Sequence, residues 1–208
     1  MHMYSIIILR IPEGSHADYR DEPPPPFILD SDFNLSSFSF FQRTSIKEFI
    51  IFASKTVAAR NAPGTRSRVK ENDYHLHCQS TVDGLCCIVV CDSAYPSNVV
   101  FRMSNQLLMD YRERYPVEVR RTATAPLPLP KLSHTLQQAV DVKNIDSFSR
   151  INDDLDQTQV VLLDTINAML ERGQKLGDLV QQSEDLSLQS KAFYTQAKKQ
   201  NSWCCSVM

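Results

Sequence analysis

Glycine is scarce, with five in 208 residues, and none of them forms the glycine-rich loop that cradles a phosphate. Charge of either sign is not in surplus: 22 Lys and Arg against 24 Asp and Glu leave a net charge of -2 and a pI near 6.2. A nucleic-acid backbone is gripped by a basic domain or stripe, so nucleic acid is not an expected partner. Long apolar runs are missing too. The longest, Leu85 to Cys91, is far short of the roughly 20 residues a bilayer-spanning helix needs. The six cysteines are too few and too unevenly placed for a disulfide-dense secreted scaffold, and Met1-His2-Met3-Tyr4 does not open a signal peptide. A cytosolic chain with reduced thiols is expected. Its length and its 42% hydrophobic content suit one globular domain plus an appendage, not a large multidomain enzyme.

What is present divides into two textures at the run Pro126-Leu127-Pro128-Leu129-Pro130, where proline cannot donate to a ladder or a helix. Before it, Tyr4 to Ile11 reads as a strand buried on both faces, with Phe27 to Phe33 as its partner after an irregular loop from Pro12 to Pro26. Ser45-Ile46-Lys47-Glu48 has the form of a capping box, so a helix is expected to begin there. Ile46, Phe49, Ile50, Ala53 and Val57 give it one apolar face, and Asn61-Ala62-Pro63-Gly64 stops it. Strands at Arg66 to Glu71, Tyr74 to Ser80 and Leu85 to Cys91 form a meander, with Val82-Asp83-Gly84 turning between the last two. A helix follows Pro96, carries Val99, Met103, Leu107 and Tyr111 as one stripe, and ends at Tyr115-Pro116. This order belongs to a two- or three-layer α+β domain.

No Cys-His-acid, Ser-His-Asp or Asp-His-His-Cys arrangement supports catalysis, so no catalytic residue is assigned. Cys78, Cys86, Cys87 and Cys91 read as small buried strand residues. Strand alternation turns Cys78 away from His75 and His77, and no second ligand pair has zinc-site spacing, so no metal is expected.

From Phe148 onward, apolar and small residues recur in alternating steps of three and four, the 3.5-residue period of a coiled-coil seam. The seam runs through Leu155, Leu162, Thr165, Met169, Arg172, Leu176, Leu179, Leu186 and Phe193, and a long helix with one uncovered face is expected to need partner helices. Arg172 sits in its middle. A guanidinium there needs acceptors once water is excluded, so a polar layer fixes register at the expense of stability. The chain closes on Cys205-Ser206-Val207-Met208, which fits the C-a-a-X pattern for prenylation, and a terminal Met favours farnesyl.

Leu170-Glu171-Arg172-Gly173-Gln174-Lys175-Leu176, with Leu179 and Phe193, closely resembles the central region of the R-SNARE motif. Ser190-Lys191-Ala192-Phe193-Tyr194, the run Lys199-Gln200-Asn201-Ser202 and the pair Cys204-Cys205 resemble the prenylated longin R-SNAREs. So do Ser36-Ser37-Phe38-Ser39-Phe40-Phe41-Gln42-Arg43, Gly64-Thr65-Arg66 and Tyr95-Pro96-Ser97 in the first half. The resemblance implies an α+β, profilin-like longin domain with a five-stranded antiparallel sheet between helices, over residues 1–130. It implies a linker with a short helix over 131–147, a SNARE coiled-coil helix over 148–200, disordered or folded back until partners arrive, and a lipidation tail over 201–208.

In function it implies vesicle docking and fusion at Golgi, ER, endosomal, vesicle or vacuolar membranes, from a pool that is cytosolic or lipid-anchored on their cytoplasmic faces. Arg172 would be the central layer of a bundle with three Q-SNARE helices, taken apart afterwards by the SNARE disassembly machinery. Cys205 would carry the prenyl chain and Cys204 a palmitoyl chain, with no cofactor beyond these covalent lipids. Phe49 and Phe52 would line a groove on the longin domain that shelters the prenyl chain and part of the SNARE segment. A longin-dependent protein S-palmitoyltransferase is the enzymatic alternative. A prenylated scaffold with a noncognate coiled-coil partner is the third.

Overall fold

The computed structural model describes residues 1–12, 25–140, 159–170 and 173–204. Most of the loop expected from Pro12 to Pro26 lies outside these residues. The strands β1 (Met3–Arg10) and β2 (Phe27–Phe33) pair antiparallel, followed by α1 (Phe40–Arg60) and the strands β3 (Arg66–Glu71), β4 (Tyr74–Ser80) and β5 (Leu85–Asp92). Then come α2 (Ser97–Arg114), α3 (Val117–Thr122) and α4 (Pro130–Val140). Residues 159–204 contribute β6 (Val160–Leu163), a 3-10 turn (Ile166–Met169), α5 (Leu176–Gln182) and α6 (Leu188–Cys204).

The sheet order is β2-β1-β5-β4-β3-β6. The first five strands pair antiparallel as the resemblance implies. The sixth corrects that expectation: β6 adds to β3 in parallel, Arg66 opposite Val160 and Val69 opposite Leu163, so the sheet is mixed and six-stranded. Turn chemistry sets the β4–β5 hairpin. Gly84 has φ +76°, and a Cβ there would lie 2.9 Å from the carbonyl oxygen of Ile11, whose own amide donates to the Gly84 carbonyl at 2.7 Å.

Alternation along β1 and β5 divides the apolar side chains between two faces. Ile6, Ile8, Cys87, Val89 and Cys91 pack with Val99, Met103, Leu107 and Tyr111 of α2 and with Leu132, Leu136 and Ala139 of α4. Ile7, Leu9, Cys86, Ile88 and Val90 pack with Ile50, Phe52, Ala53 and Val57 of α1. Helices therefore cover both faces, giving three layers.

The helix α1 starts six residues earlier than the capping-box reading expects, with Ser39 and not Ser45 as its N-cap and Phe40 as its first residue. Ser45 is buried within it, and the Glu48 carboxylate is taken by Ser187 and Ser190 instead of capping. The continuous long helix is also not what residues 159–170 and 173–204 form here. Val160-Val161-Leu162-Leu163 is an aliphatic, partly β-branched run that a sheet edge accepts readily, and Gly173 has φ +96°, outside helical geometry. The segment is folded back, which is the other state the resemblance implies.

Candidate functional site

The helix α1 has two kinds of neighbour, the sheet on which it packs and the C-terminal segment beside it. Ile166, Leu176, Val180 and Leu186 of that segment are all buried in the same apolar cluster as Ile50, Phe52 and Val57. Met169, Leu170, Leu179 and Tyr194 are half-buried against it. Polar contacts fix their position. Glu48 Oε2 accepts from the backbone amide of Ser187 at 2.9 Å and from Ser190 Oγ at 2.7 Å, and these bonds hold its carboxyl below the usual range, the Ser187 amide most. Lys55 Nζ donates to Asp185 Oδ2 at 2.6 Å, and the Phe49 and Tyr194 rings stack with centroids 5.3 Å apart.

At the start of the segment, the backbone amide of Ile166 donates to Glu71 Oε2 at 3.2 Å. Burial pushes the Glu71 carboxyl up, opposed by that amide and by Lys198. Asn167 Oδ1 accepts from the Leu176 amide at 2.8 Å, which ties the 3-10 turn to α5. Lys191 Nζ donates to the carbonyl of Gln181 at 2.9 Å and ties α6 to α5. Residues 159–170 and 173–204 thus form a strap on one side of the domain, joined to it by strand pairing at one end and by helix packing at the other.

The residues assigned from sequence fall into three groups. Leu176 and Leu186 of the seam are buried against the domain, while Met169, Leu179 and Phe193 are half-buried. Leu162 is 62% exposed on β6, so the closed strap leaves part of the seam open. Leu155, Arg172 and Cys205 lie outside the described residues, and the Cys204 side chain does too, although its backbone ends α6. Phe49 meets the strap directly. Phe52, 9% exposed, sits deeper in the cluster, its ring 6.4 Å from that of Phe49.

Sequence reasoning missed Glu48, Lys55, Ile166 and Val180. Glu48 was read as a capping residue, and the partners of the others become visible only when the segment lies on α1. Ile166 and Val180 were passed over because both lie one position off the seam.

The strand cysteines do not form a reactive centre. Cys78 and Cys86 face the α1 side with their sulfurs 3.4 Å apart, while His77 faces the α2 side, against Ser97 and Phe101. Burial pushes the Cys87 and Cys91 thiols up to about 12, away from the thiolate that acyl relay requires. Among the described residues no group of three or more His, Cys, Asp and Glu is placed to hold a metal ion, and no helix is long and apolar enough to cross a membrane.

Two family models match the chain. One is the longin, regulated-SNARE-like domain, over residues 35–136; the other is synaptobrevin, over residues 147–206. The synaptobrevin homolog ykt6 of Schizosaccharomyces pombe is 40% identical over 207 residues, covering 100% of both chains. The VAMP-like protein YKT61 of Arabidopsis thaliana is 37% identical over 90% of this chain and 94% of its own. The synaptobrevin homolog YKT6 of Yarrowia lipolytica is 37% identical over 91% and 96%.

Proposed function

The chain belongs to the Ykt6-type synaptobrevin homologs, R-SNAREs of membrane fusion with a longin domain ahead of the SNARE motif, and from that premise we propose that the strapped conformation is its closed, pre-fusion state. Release of the strap would free the seam to form a four-helix bundle with three Q-SNARE helices. The observation that carries this reading is the burial of seam residues Leu176 and Leu186 against α1, where a partner helix cannot reach them. Burying a Leu or Ile side chain contributes about 1.5–3 kcal/mol, so a few such residues hold the strap, and a bundle that buries the whole seam competes effectively.

Arg172 supplies the central layer of that bundle. Its five donors need side-chain oxygens from the three partner helices once water is excluded, so only one register satisfies them. Zippering toward the C-terminus then draws the lipid-bearing end toward the partners' anchors, and the disassembly machinery returns the helices to their separate states. With full-length protein and three recombinant Q-SNARE motifs, Arg172→Ala and the double change of Leu176 and Leu179 to Asp are expected to reduce assembly. Undiminished assembly of both would overturn the reading.

Attachment to the membrane rests on the tail. A single lipid chain binds reversibly, with an association constant of about 10⁴ M⁻¹ in the myristoyl case, so farnesyl at Cys205 needs palmitoyl at Cys204 for durable anchoring. Lys198 and Lys199 add attraction to anionic headgroups at the Golgi, ER, endosomal or vacuolar surface. In flotation with liposomes, Cys205→Ser is expected to abolish partitioning and Cys204→Ser to shorten residence.

The groove formed by α1 and the strap is our candidate shelter for the prenyl chain, with Phe49 and Phe52 beside it. Phe52→Glu places a charge in the apolar cluster and is expected to open the strap and raise membrane partitioning of the lipidated protein. Acyl transfer as an alternative finds little support in cysteines held as buried thiols.

A further inference from the structure

The residues that seat the strap, by side chain or, at Ser187, by backbone amide, and the residues of the seam are two overlapping sets. Ile166 and Val180 are completely buried, the Ser187 amide donates to Glu48, and the Tyr194 ring stacks on Phe49. None of the four is a seam residue, yet all occupy the same place in the repeat. Each follows immediately on a seam residue, Thr165, Leu179, Leu186 and Phe193, and they are separated by whole multiples of seven. The remaining place in that series is Gly173, which has no side chain to seat; there the chain takes φ +96° with open space around it. Leu162, on the seam, is 62% exposed at the other extreme.

The geometry points to a second stripe, Ile166, Val180, Ser187 and Tyr194, as the surface by which the longin domain reads its own SNARE segment, separate from the seam that the Q-SNARE helices read. This rests on the closed and released states proposed above. On a continuous helix the stripe lies one residue, about 100°, round from the seam, at the flank of a bundle and not in its core. The two states compete directly where they share buried residues, at Leu176, Leu186 and Ser190, which also falls at a seam position. A Q-SNARE helix can therefore engage exposed seam positions such as Leu162 while the second stripe is still docked.

The test compares Val180→Asp with Leu162→Asn in the full-length chain, reading amide hydrogen exchange of residues 176–198 without partners and the melting temperature of complexes with three recombinant Q-SNARE motifs. Val180→Asp is expected to raise exchange by about tenfold or more and to speed capture, while the complex melts within about 3 °C of wild type. Leu162→Asn is expected to leave exchange unchanged and to lower that melting temperature. Unchanged exchange in Val180→Asp, or a complex weakened as much as by Leu162→Asn, would overturn the second stripe. Should Val180→Asp disturb the domain itself, Tyr194→Ala decides on the same criteria, since its half-buried ring can be removed without entering the sheet core. If exchange behaves as expected but neither wild type nor variant captures the motifs, the stripe is supported and the SNARE reading fails instead.

Discussion

His77 is buried between β4 and α2, with Nε2 3.0 Å from Ser97 Oγ, Nδ1 3.6 Å from Cys91 Sγ and the Phe101 ring edge-on. Burial, with smaller contributions from His75 and Arg68, lowers its pKa from 6.5 to about 3. The folded domain therefore holds a neutral imidazole while the unfolded chain takes up a proton. Stability is complete above about pH 6.5 and falls as pH drops toward 3, by at most about 1.4 kcal/mol per unit. Thermal melts from pH 7.5 to 4.5 are expected to show a shallower decline in His77→Gln than in wild type.

Glu48, on α1, acts on the docking of the strap and not on the core. Its lowered pKa means that its contribution to docking is present above the ordinary value of 4.5 and is lost as pH falls through the bound value. Glu71 works in the opposite sense, because burial raises it and protonation relieves that penalty. Glu48→Gln at neutral pH separates the two: faster exchange in residues 187–190 is expected, with that in 160–166 unchanged. The opposite facing of Cys78 and His77 was legible from alternation alone. The roles of Ser97, Ser187 and Ser190 were not, since each partner is supplied by a distant element.

At the scale of elements, punctuation was the reliable signal. Asn61 closes α1 and Pro96 precedes α2 where the sequence placed them, and Val82-Asp83-Gly84 turns the chain between β4 and β5. The start of α1 was misplaced because Ser45 and Glu48 satisfy a spacing rule whose hydrogen bonds are made elsewhere. In β6, the seam period and the local preference of Val160 and Val161 disagree, and pairing with β3 decides for the strand. A chain ending at residue 140 would uncover both the β3 edge and the apolar side of α1. It is expected to bind more ANS and to self-associate more than the full chain, with Arg66, Arg68 and Lys70 on β3 limiting the effect.

Over the whole molecule, the contacts between domain and strap are mainly apolar. The Lys55–Asp185 pair is partly exposed, and such pairs contribute about 0–1 kcal/mol. Raising NaCl from about 0.1 to 1 M shortens the Debye length from about 10 to 3 Å. The exchange of residues 176–198 is nevertheless expected to change by less than about threefold, whereas Phe52→Glu increases it at either concentration.

The parallel pairing of β6 has a kinetic consequence. It occupies the rim of the sheet, over four residues, with no strand beyond it among the described residues. The ladder can therefore peel from β3 like a strip of tape, while the five antiparallel strands stay paired and the α2 face stays packed. Departure and return of the strap become a local event, timed independently of global unfolding, and one folded domain can pass through many rounds of engagement without being rebuilt.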